Sequence, residues 1–323
     1  MGLSSKLTLL LAATALAACG RGSDAGKSTT DETATAPATA AAAPAASAEK
    51  TLAQILAGDQ RSAENRARDQ YRHPQQTLEF FGLRPDMTVI EVWPSGGWYT
   101  EIIAPYLRDK GRYIAAGLDP DAKDERTQKA LQRYRDKLAK RPDLYDKVEL
   151  AVLAPPEKTE MVPAESVDLV VTFRNIHNWM GDGVADKVFA AFFRALKPGG
   201  VLGVVEHRAK TDKPQDPKAR SGYVRQDYAV ALAKKAGFVL EESAETNANP
   251  KDTKDYPGGV WTLPPTLAEQ DKDRDKYLAI GESDRFTLRF RKPTPAGGVG
   301  EGQAPATEES PSEAGGETAA PPP

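Results

Sequence analysis

The stretch Thr88-Val89-Ile90-Glu91-Val92-Trp93-Pro94-Ser95-Gly96-Gly97-Trp98-Tyr99-Thr100-Glu101-Ile102-Ile103 reads, in that order, as a buried strand, a tight glycine-bearing turn and the first turns of a helix. The run Val89 to Val92 is short and β-branched, which suits a strand covered on both faces. Glu91, near its carboxyl end, puts a carboxyl group where a core wants none. In doubly wound sheets ligands bind in the crevice outside the carboxyl ends of the strands. Glycines there let backbone approach the ligand, and the next helix presents free N–H groups. Residues 91–97 therefore read as a cofactor loop, with a plain structural turn as the alternative.

At the amino terminus Lys6 precedes the apolar run Leu7 to Leu11, small residues follow, and Leu16-Ala17-Ala18-Cys19 closes the segment. Residues 1–18 resemble a bacterial lipoprotein signal peptide, which implies cleavage before Cys19 and lipid attachment to it. The apolar part is too short to span a bilayer as a mature helix. Cys19 is the only cysteine, so an exported chain has no internal disulfide. More than one acyl chain on Cys19 gives stable membrane anchoring. Gly20 carries no acidic retention signal, and the expected location is the bacterial cell envelope, on the periplasmic face of the outer membrane. Residues 19–50 and 294–323 are dominated by Ala, Thr, Pro, Ser and Gly, with Glu in the second, and read as a tether and a disordered tail. Residues 51–293 remain as one domain, large enough for a sizeable core. The net charge of −3 and pI near 5.8 give no basic footprint, so nucleic acid is not an expected partner.

Along that domain, β-branched runs alternate with amphipathic stretches, the pattern of βαβ units and a mainly parallel sheet. Helices are expected over Thr51 to Gln70 and Gln75 to Phe81, with His73-Pro74 breaking between them. Strands are expected over Thr88 to Val92, Arg112 to Ala116, Val148 to Leu153, Val167 to Phe173, Val201 to Val205, Phe238 to Glu242 and Arg285 to Arg291. Helices over Tyr99 to Leu107, Lys123 to Leu138, Val184 to Ala195 and Gly222 to Ala236 lie between them, the second a charge run read as a solvated face. Lys197-Pro198-Gly199-Gly200 reads as a turn. Arg285 to Arg291 alternates Phe286, Leu288 and Phe290 with Thr287 and Arg289, as in an antiparallel strand with one wetter face that finishes the sheet.

The order of the first strand and its acidic-Gly loop, then Val167-Asp168-Leu169-Val170-Val171, Leu196-Lys197-Pro198-Gly199-Gly200-Val201-Leu202 and Ala236-Gly237-Phe238, resembles class I S-adenosylmethionine-dependent methyltransferases over residues 70–293. Residues Glu91 to Thr100, with Arg174-Asn175-Ile176-His177-Asn178-Trp179, are similar to a subgroup of predicted exported methyltransferases. The resemblance implies a doubly wound, mainly parallel seven-stranded α/β sheet of the Rossmann-like type with a final antiparallel strand. It implies S-adenosylmethionine as cofactor and methyl transfer to a small-molecule or envelope acceptor. An exported protein works outside the compartment where that cofactor is made, so a non-catalytic binding or scaffold lipoprotein keeping the fold is the competing expectation.

The family loop is an acidic residue followed by three alternate glycines, and here Glu91 is followed at those places by Trp93, Ser95 and Gly97. Gly96 is expected to supply a positive-φ turn one position away. After the second strand the family places an acid on the ribose; Gly117 stands there, with Asp119 two residues on. The third strand ends in Ala154-Pro155, with no acid for the adenine amine. The expected cofactor residues are thus Glu91, Trp93, Ser95, Gly96, Gly97, Asp119 and Asn175. The residues expected to face the acceptor are His177, Asn178, Glu206, His207 and Arg208, which follow the fourth and fifth strands. Either histidine suits a general base, or is a satisfied loop histidine; Asn175 and Asn178 bind ligand or start a helix. Trp98, Trp179 and Trp261 wall a pocket or fill the core, and Asp168 sits at the structural end of its strand. No His/Cys/Asp/Glu set has metal-ligand spacing along the chain, and no Gly-x-Ser-x-Gly elbow is present.

Overall fold

A computed structural model describes residues 50–295. The expected signal peptide, Cys19, the tether up to residue 49 and the tail from residue 296 lie outside the described residues. Seven strands form one sheet in the order β3-β2-β1-β4-β5-β7-β6. They are β1 (Thr88–Val92), β2 (Arg112–Gly117), β3 (Glu149–Val152), β4 (Val167–Phe173), β5 (Leu196–His207), β6 (Val239–Ala244) and β7 (Arg285–Arg291). The first five are parallel, whereas β7 runs antiparallel between β5 and β6. Short helices α1 (Leu52–Leu56), α2 (Ala63–Ala67), α3 (Asp69–Arg72) and α4 (Pro74–Phe80) precede the sheet. The rest are α5 (Thr100–Leu107), α6 (Glu125–Ala139), α7 (Pro142–Tyr145), α8 (Ile176–Asp182), α9 (Ala185–Ala195), α10 (Gln226–Lys235) and α11 (Arg274–Ile280).

The two faces of the sheet follow from strand alternation. Ile90, Val92, Val170, Leu202 and Val204 point to the layer of α8, α9 and α10, where Trp179, Val188, Phe189, Phe192 and Leu232 cover them. Val89, Leu169, Val171, Val201 and Val205 point to the opposite layer, against Leu52, Leu78, Phe81, Ile102 and Ile103. Glu91 shares the face of Val89 by the same alternation and so enters the α5 side of the protein. Phe81 lies directly over Gly203, where an added Cβ would come within 2.6 Å of its ring, so β5 must be bare at that point. At the amino ends of the strands, Asp168 takes the Thr88 N–H at 2.8 Å and the Lys197 ammonium at 2.7 Å, a fastening role.

Three expectations differ from the fold. The single helix expected over Thr51 to Gln70 is three, because Thr51 and Ser62 each start a new one by accepting a backbone N–H three residues on, with Gly58 between. Lys197 to Gly200 is not a free turn: β5 begins at Leu196, and the backbone of Gly199 (φ +79°) and Gly200 bonds to Lys292. The side of β7 expected to be wet is so only toward its end, at the half-buried Arg289 and Arg291. Thr287 is fully covered, since Asn247 bridges it to Thr77 at 2.9 Å on each side, and the Arg289 guanidinium lies 5.1 Å over the Phe80 ring. An interior strand has neighbours on both edges and layers on both faces, which alternation alone does not disclose.

Candidate active site at the carboxyl ends of the strands

The loop after β1 keeps a glycine-like backbone with only one of the three glycines. Trp93, Ser95 and Gly97 have φ of +47°, +53° and +72°, whereas Gly96, expected to make that turn, is not in the left-handed region. Trp and Ser held there store on the order of 1–2 kcal/mol each. An added Cβ at Gly96 meets nothing within 4 Å, while one at Gly97 would approach the Lys137 side chain at 2.8 Å. The bare space beside the loop is therefore at Gly96. Trp93 donates its indole N–H to Leu153 O at 2.9 Å and meets Trp179 edge-on at 5.7 Å, which draws its ring across the carboxyl ends of β2 and β3.

Glu91 is buried and turned away from this space. It accepts the Tyr113 hydroxyl at 2.5 Å and the Thr100 hydroxyl at 3.2 Å. Burial pushes its carboxyl group up to about 7, against the opposing pull of those two hydroxyls and then of Lys137 and Arg174. Its role is to tie β1, β2 and α5 together beneath the loop.

An open crevice of about 1180 Å³ lies outside the strand ends. Its walls are Trp93, Ser95 and Gly96 after β1, Gly117 and Leu118 after β2, Asn175, His177 and Asn178 after β4, and Trp261 from the far side. Helix α6 supplies another wall with Arg126, Thr127, Arg133, Tyr134 and Lys137, and Lys218, Ala219 and Arg220 a further one. The charge run read as a solvated face thus closes the crevice; its Asp124 side chain accepts the Thr127 N–H at 2.8 Å and fixes where the helix starts. Gly117, where the family acid is missing, has open space for a Cβ.

His177 is set by Glu206. The carboxylate is wholly buried and accepts the backbone N–H of Ile176 at 2.6 Å and of His207 at 2.8 Å, and the His177 ring Nδ1 lies 3.1 Å from its Oε1. A carboxylate oxygen only accepts, so in the neutral ring Nδ1 carries the proton and Nε2 is the acceptor nitrogen. The His207 ring is 5.4 Å from that of His177, with Nδ1 at 2.5 Å from Ser283 Oγ. Burial first, then His177, Arg285, Arg174 and Arg72, hold His207 well below the usual imidazole range, so its ring is neutral at neutral pH. Ligating atoms of His177, Glu206 and His207 fall within 4.8 Å of one another. Spacing along the chain hides this trio because it joins the ends of β4 and β5. Glu206 Oε2 is nonetheless already taken by the backbone N–H of Ile176 and, at 3.4 Å, of His177, and Oε1 by the N–H of His207 and the His177 ring, four donors that close the carboxylate on itself.

Of the residues expected at the site, Trp93, Ser95, Gly96, Asn175, His177 and Asn178 line the crevice. Glu91, Gly97, Glu206 and His207 are not among its walls: Gly97 is covered by the Lys137 side chain, and Glu206 and His207 stand behind His177. Asn175 is nearly covered and holds the loops together by donating to Val92 O at 3.0 Å. Asp119 is absent from the walls, its carboxylate taken by Lys158 at 2.8 Å. Arg208 is also elsewhere, donating to Glu245 at 2.6 Å. Of the tryptophans, Trp261 is a wall, Trp179 is core, and Trp98 lies under the guanidiniums of Arg61 and Arg72.

No protein-family model matches the chain, and no curated protein matches it. Among solved structures, the [4+2]-cyclase SpnF aligns with 74% of this chain and 85% of its own, at 16% identity and a TM-score of 0.50. A SAM-dependent methyltransferase from Aquifex aeolicus aligns over 75% of this chain and 99% of its own, at 17% identity and a TM-score of 0.47. One from Methanosarcina mazei aligns over 68% and 97%, at 15% identity and a TM-score of 0.43. At such identities the likeness is one of fold. With five parallel strands and an antiparallel β7 set between β5 and β6, the chain carries a Rossmann-like α/β fold, which it shares with SpnF.

Proposed function

We propose that this protein transfers a methyl group from S-adenosylmethionine to a small-molecule or envelope acceptor, while held to the membrane by lipid on Cys19. The observation that carries the reading is the loop after β1, where the three positions filled by glycines in the family all keep positive φ, two of them against the preference of Trp and Ser. A fold that holds such a backbone beside an open crevice does so for something that approaches it closely. The residues present fit a cofactor gripped by backbone and by apolar walls: Gly96 and Gly117 are bare, and Trp93 and Leu118 line the same space. The carboxylates that the family uses are not available here, since Glu91 is buried on Tyr113 and Asp119 is paired with Lys158.

S-adenosylmethionine, when bound, supplies an electrophilic methyl on a sulfonium sulfur. The part of the chain is to align the acceptor and to manage its proton. Nε2 of His177, its tautomer fixed by Glu206, would take the proton of an acceptor O–H or N–H, while the methyl–sulfur bond of the sulfonium would break and leave its electron pair on a neutral thioether. Neutral His207 and the edge of the Trp261 ring, 5.9 Å from His177, keep that imidazole in place. Asn178, exposed at the mouth, is placed to meet the acceptor.

A second reading rests on Trp93, whose ring, fixed to Leu153, narrows the end of the crevice over β2 and β3. On that reading the fold survives as a binding protein for a different ligand. Equilibrium titration of the full chain with S-adenosylmethionine separates the two: saturable one-site binding supports methyl transfer, and none leaves the binding protein. No helix among the described residues is long and apolar enough to cross a membrane. Fatty-acid labelling that disappears in Cys19→Ser tests the lipid anchor.

A further inference from the structure

Three guanidiniums converge on one carboxylate beneath the helices that precede β1. Arg68 Nε reaches Glu282 Oε1 at 2.6 Å, Arg72 Nε reaches Oε2 at 3.1 Å, and Arg285 donates to the same oxygen. This much is a fastening between α3 and the start of β7. Arg174, the residue after β4, contributes nothing to it. Its side chain has no hydrogen bond or ion pair among the described residues, and it stands within electrostatic reach of Arg285, Arg68 and Arg72 as well as Glu282. Arg68 Nη2 is buried and also lacks a partner.

The charges do not balance. Burial alone would raise the Glu282 carboxyl group, yet Arg285, Arg72, Arg68 and Arg174 together hold it far below the usual carboxylate range, so it is one full negative charge against four positive ones. Among the described residues, no other group acting on these arginines makes up the difference. The carboxylate of Asp69 is bound in two bonds of 2.7 and 2.6 Å to Arg61. Burial raises Glu91 to about 7 and Tyr99 to about 12, and His207 is neutral. Arg174, pressed down to about 10 by burial and then by Arg285, remains charged at neutral pH. Its backbone is held in the left-handed region at φ +61°, with its N–H on Val205 O at 2.7 Å. A half-buried, unpaired cation on a strained backbone is costly and serves no packing purpose evident here.

We propose that Arg174, with Arg68 and Arg72, binds the oxyanion of a ligand, a carboxylate or a phosphate, which supplies the missing negative charge. Planar guanidinium forks match both anions. Arg174, Arg72 and His177 all stand within electrostatic reach of the His207 ring, which ties this cluster to the His177–Glu206 pair. Resting on the methyl-transfer reading, this makes the acceptor an anionic molecule; the anion site itself does not depend on that reading.

The test follows the melting temperature and binding heat of the full chain with sodium phosphate, with sodium acetate, and with phosphatidylglycerol vesicles in phosphatidylcholine, each against sodium chloride at matched ionic strength. The wild type shows a saturable rise with at least one of them. A response to free phosphate or acetate assigns a soluble ligand, and a response to vesicles alone assigns a lipid headgroup. Arg174→Gln weakens that binding by about tenfold or more and melts higher than wild type in chloride, because like-charge repulsion is removed. Arg84→Gln, which breaks an exposed pair with Asp86, changes neither. If Arg174→Gln does not fold, Arg174→Lys, which keeps the charge and loses the fork, gives the weakened binding instead. A wild type that responds to no anion, or a variant with the wild-type response, overturns the proposal. Titration of the same samples with S-adenosylmethionine keeps the two claims apart: cofactor binding without anion binding removes only this site, and the reverse removes only the methyl-transfer reading.

Discussion

The carboxylate of Glu206 starts helix α8 through the Ile176 N–H at 2.6 Å and, with its other oxygen, holds His177 Nδ1 at 3.1 Å. One buried group thereby fixes both the position of the imidazole and the nitrogen that carries its proton.

Glu206→Gln keeps the shape but brings an amide N–H₂ against backbone N–H donors. A loss of about 2–3 kcal/mol in denaturant unfolding is expected. The His177 imidazole, read by nitrogen NMR, becomes a mixture of tautomers, while affinity for S-adenosylmethionine changes little. A single unchanged tautomer in the variant would deny Glu206 this role.

Glu91 gives a pH dependence of defined sign. Its carboxyl group is raised from 4.5 to about 7 on folding, so the folded state binds more protons between those values and stability falls as pH rises through that window. Below 4.5 the contribution is complete, and above 7 it has gone. The size is about 3 kcal/mol at most. Glu91→Gln, whose amide oxygen still accepts from Tyr113, flattens the stability profile between pH 4.5 and 7. An equal slope in both proteins assigns it to other groups.

Asp119→Asn is expected to leave S-adenosylmethionine affinity within about twofold and the melting temperature nearly unchanged, since it weakens an exposed pair with Lys158 while its amide oxygen still accepts the Asp121 N–H. Isothermal titration of the variant checks this. A tenfold loss would bring Asp119 back to the ribose.

Trp93→Gly relieves a φ of +47° but removes the bond to Leu153 and one apolar wall. Affinity for S-adenosylmethionine falls by roughly tenfold if the ring is a wall of the cofactor site. Tighter binding in the same titration would show that the indole obstructs it.

Much of the fold is legible in the sequence because the central strands are bounded runs of β-branched and aromatic residues. The expected limits of β1, β4 and β7 coincide with those observed. The first helix was hidden by its caps: periodicity continues across Gly58 and Ser62, whereas capping stops and restarts the chain there. At the site, positions next to strand ends were readable, hence Trp93, Asn175, His177 and Asn178. Side-chain direction was not. Glu91 turns under α5, Asp119 turns to Lys158 and Arg208 to Glu245, each choice made by a partner far along the chain. The α6 wall was missed because a charge run does not disclose which face it turns inward, although Tyr134 and Lys137 near its end were a signal. The arginine cluster draws on segments near residues 70, 174 and 285, and no spacing rule joins them.

The most direct measurement is calorimetric titration of S-adenosylmethionine into wild type, Gly96→Val and Gly117→Val. Both glycines have room for a Cβ and neither lies at positive φ, so the variants fold as wild type while their side chains enter the crevice. The account predicts saturable one-site binding to wild type and a loss of at least about tenfold in each variant, with melting temperatures nearly unchanged. Absence of binding to the wild type, or equal binding by all three, contradicts it.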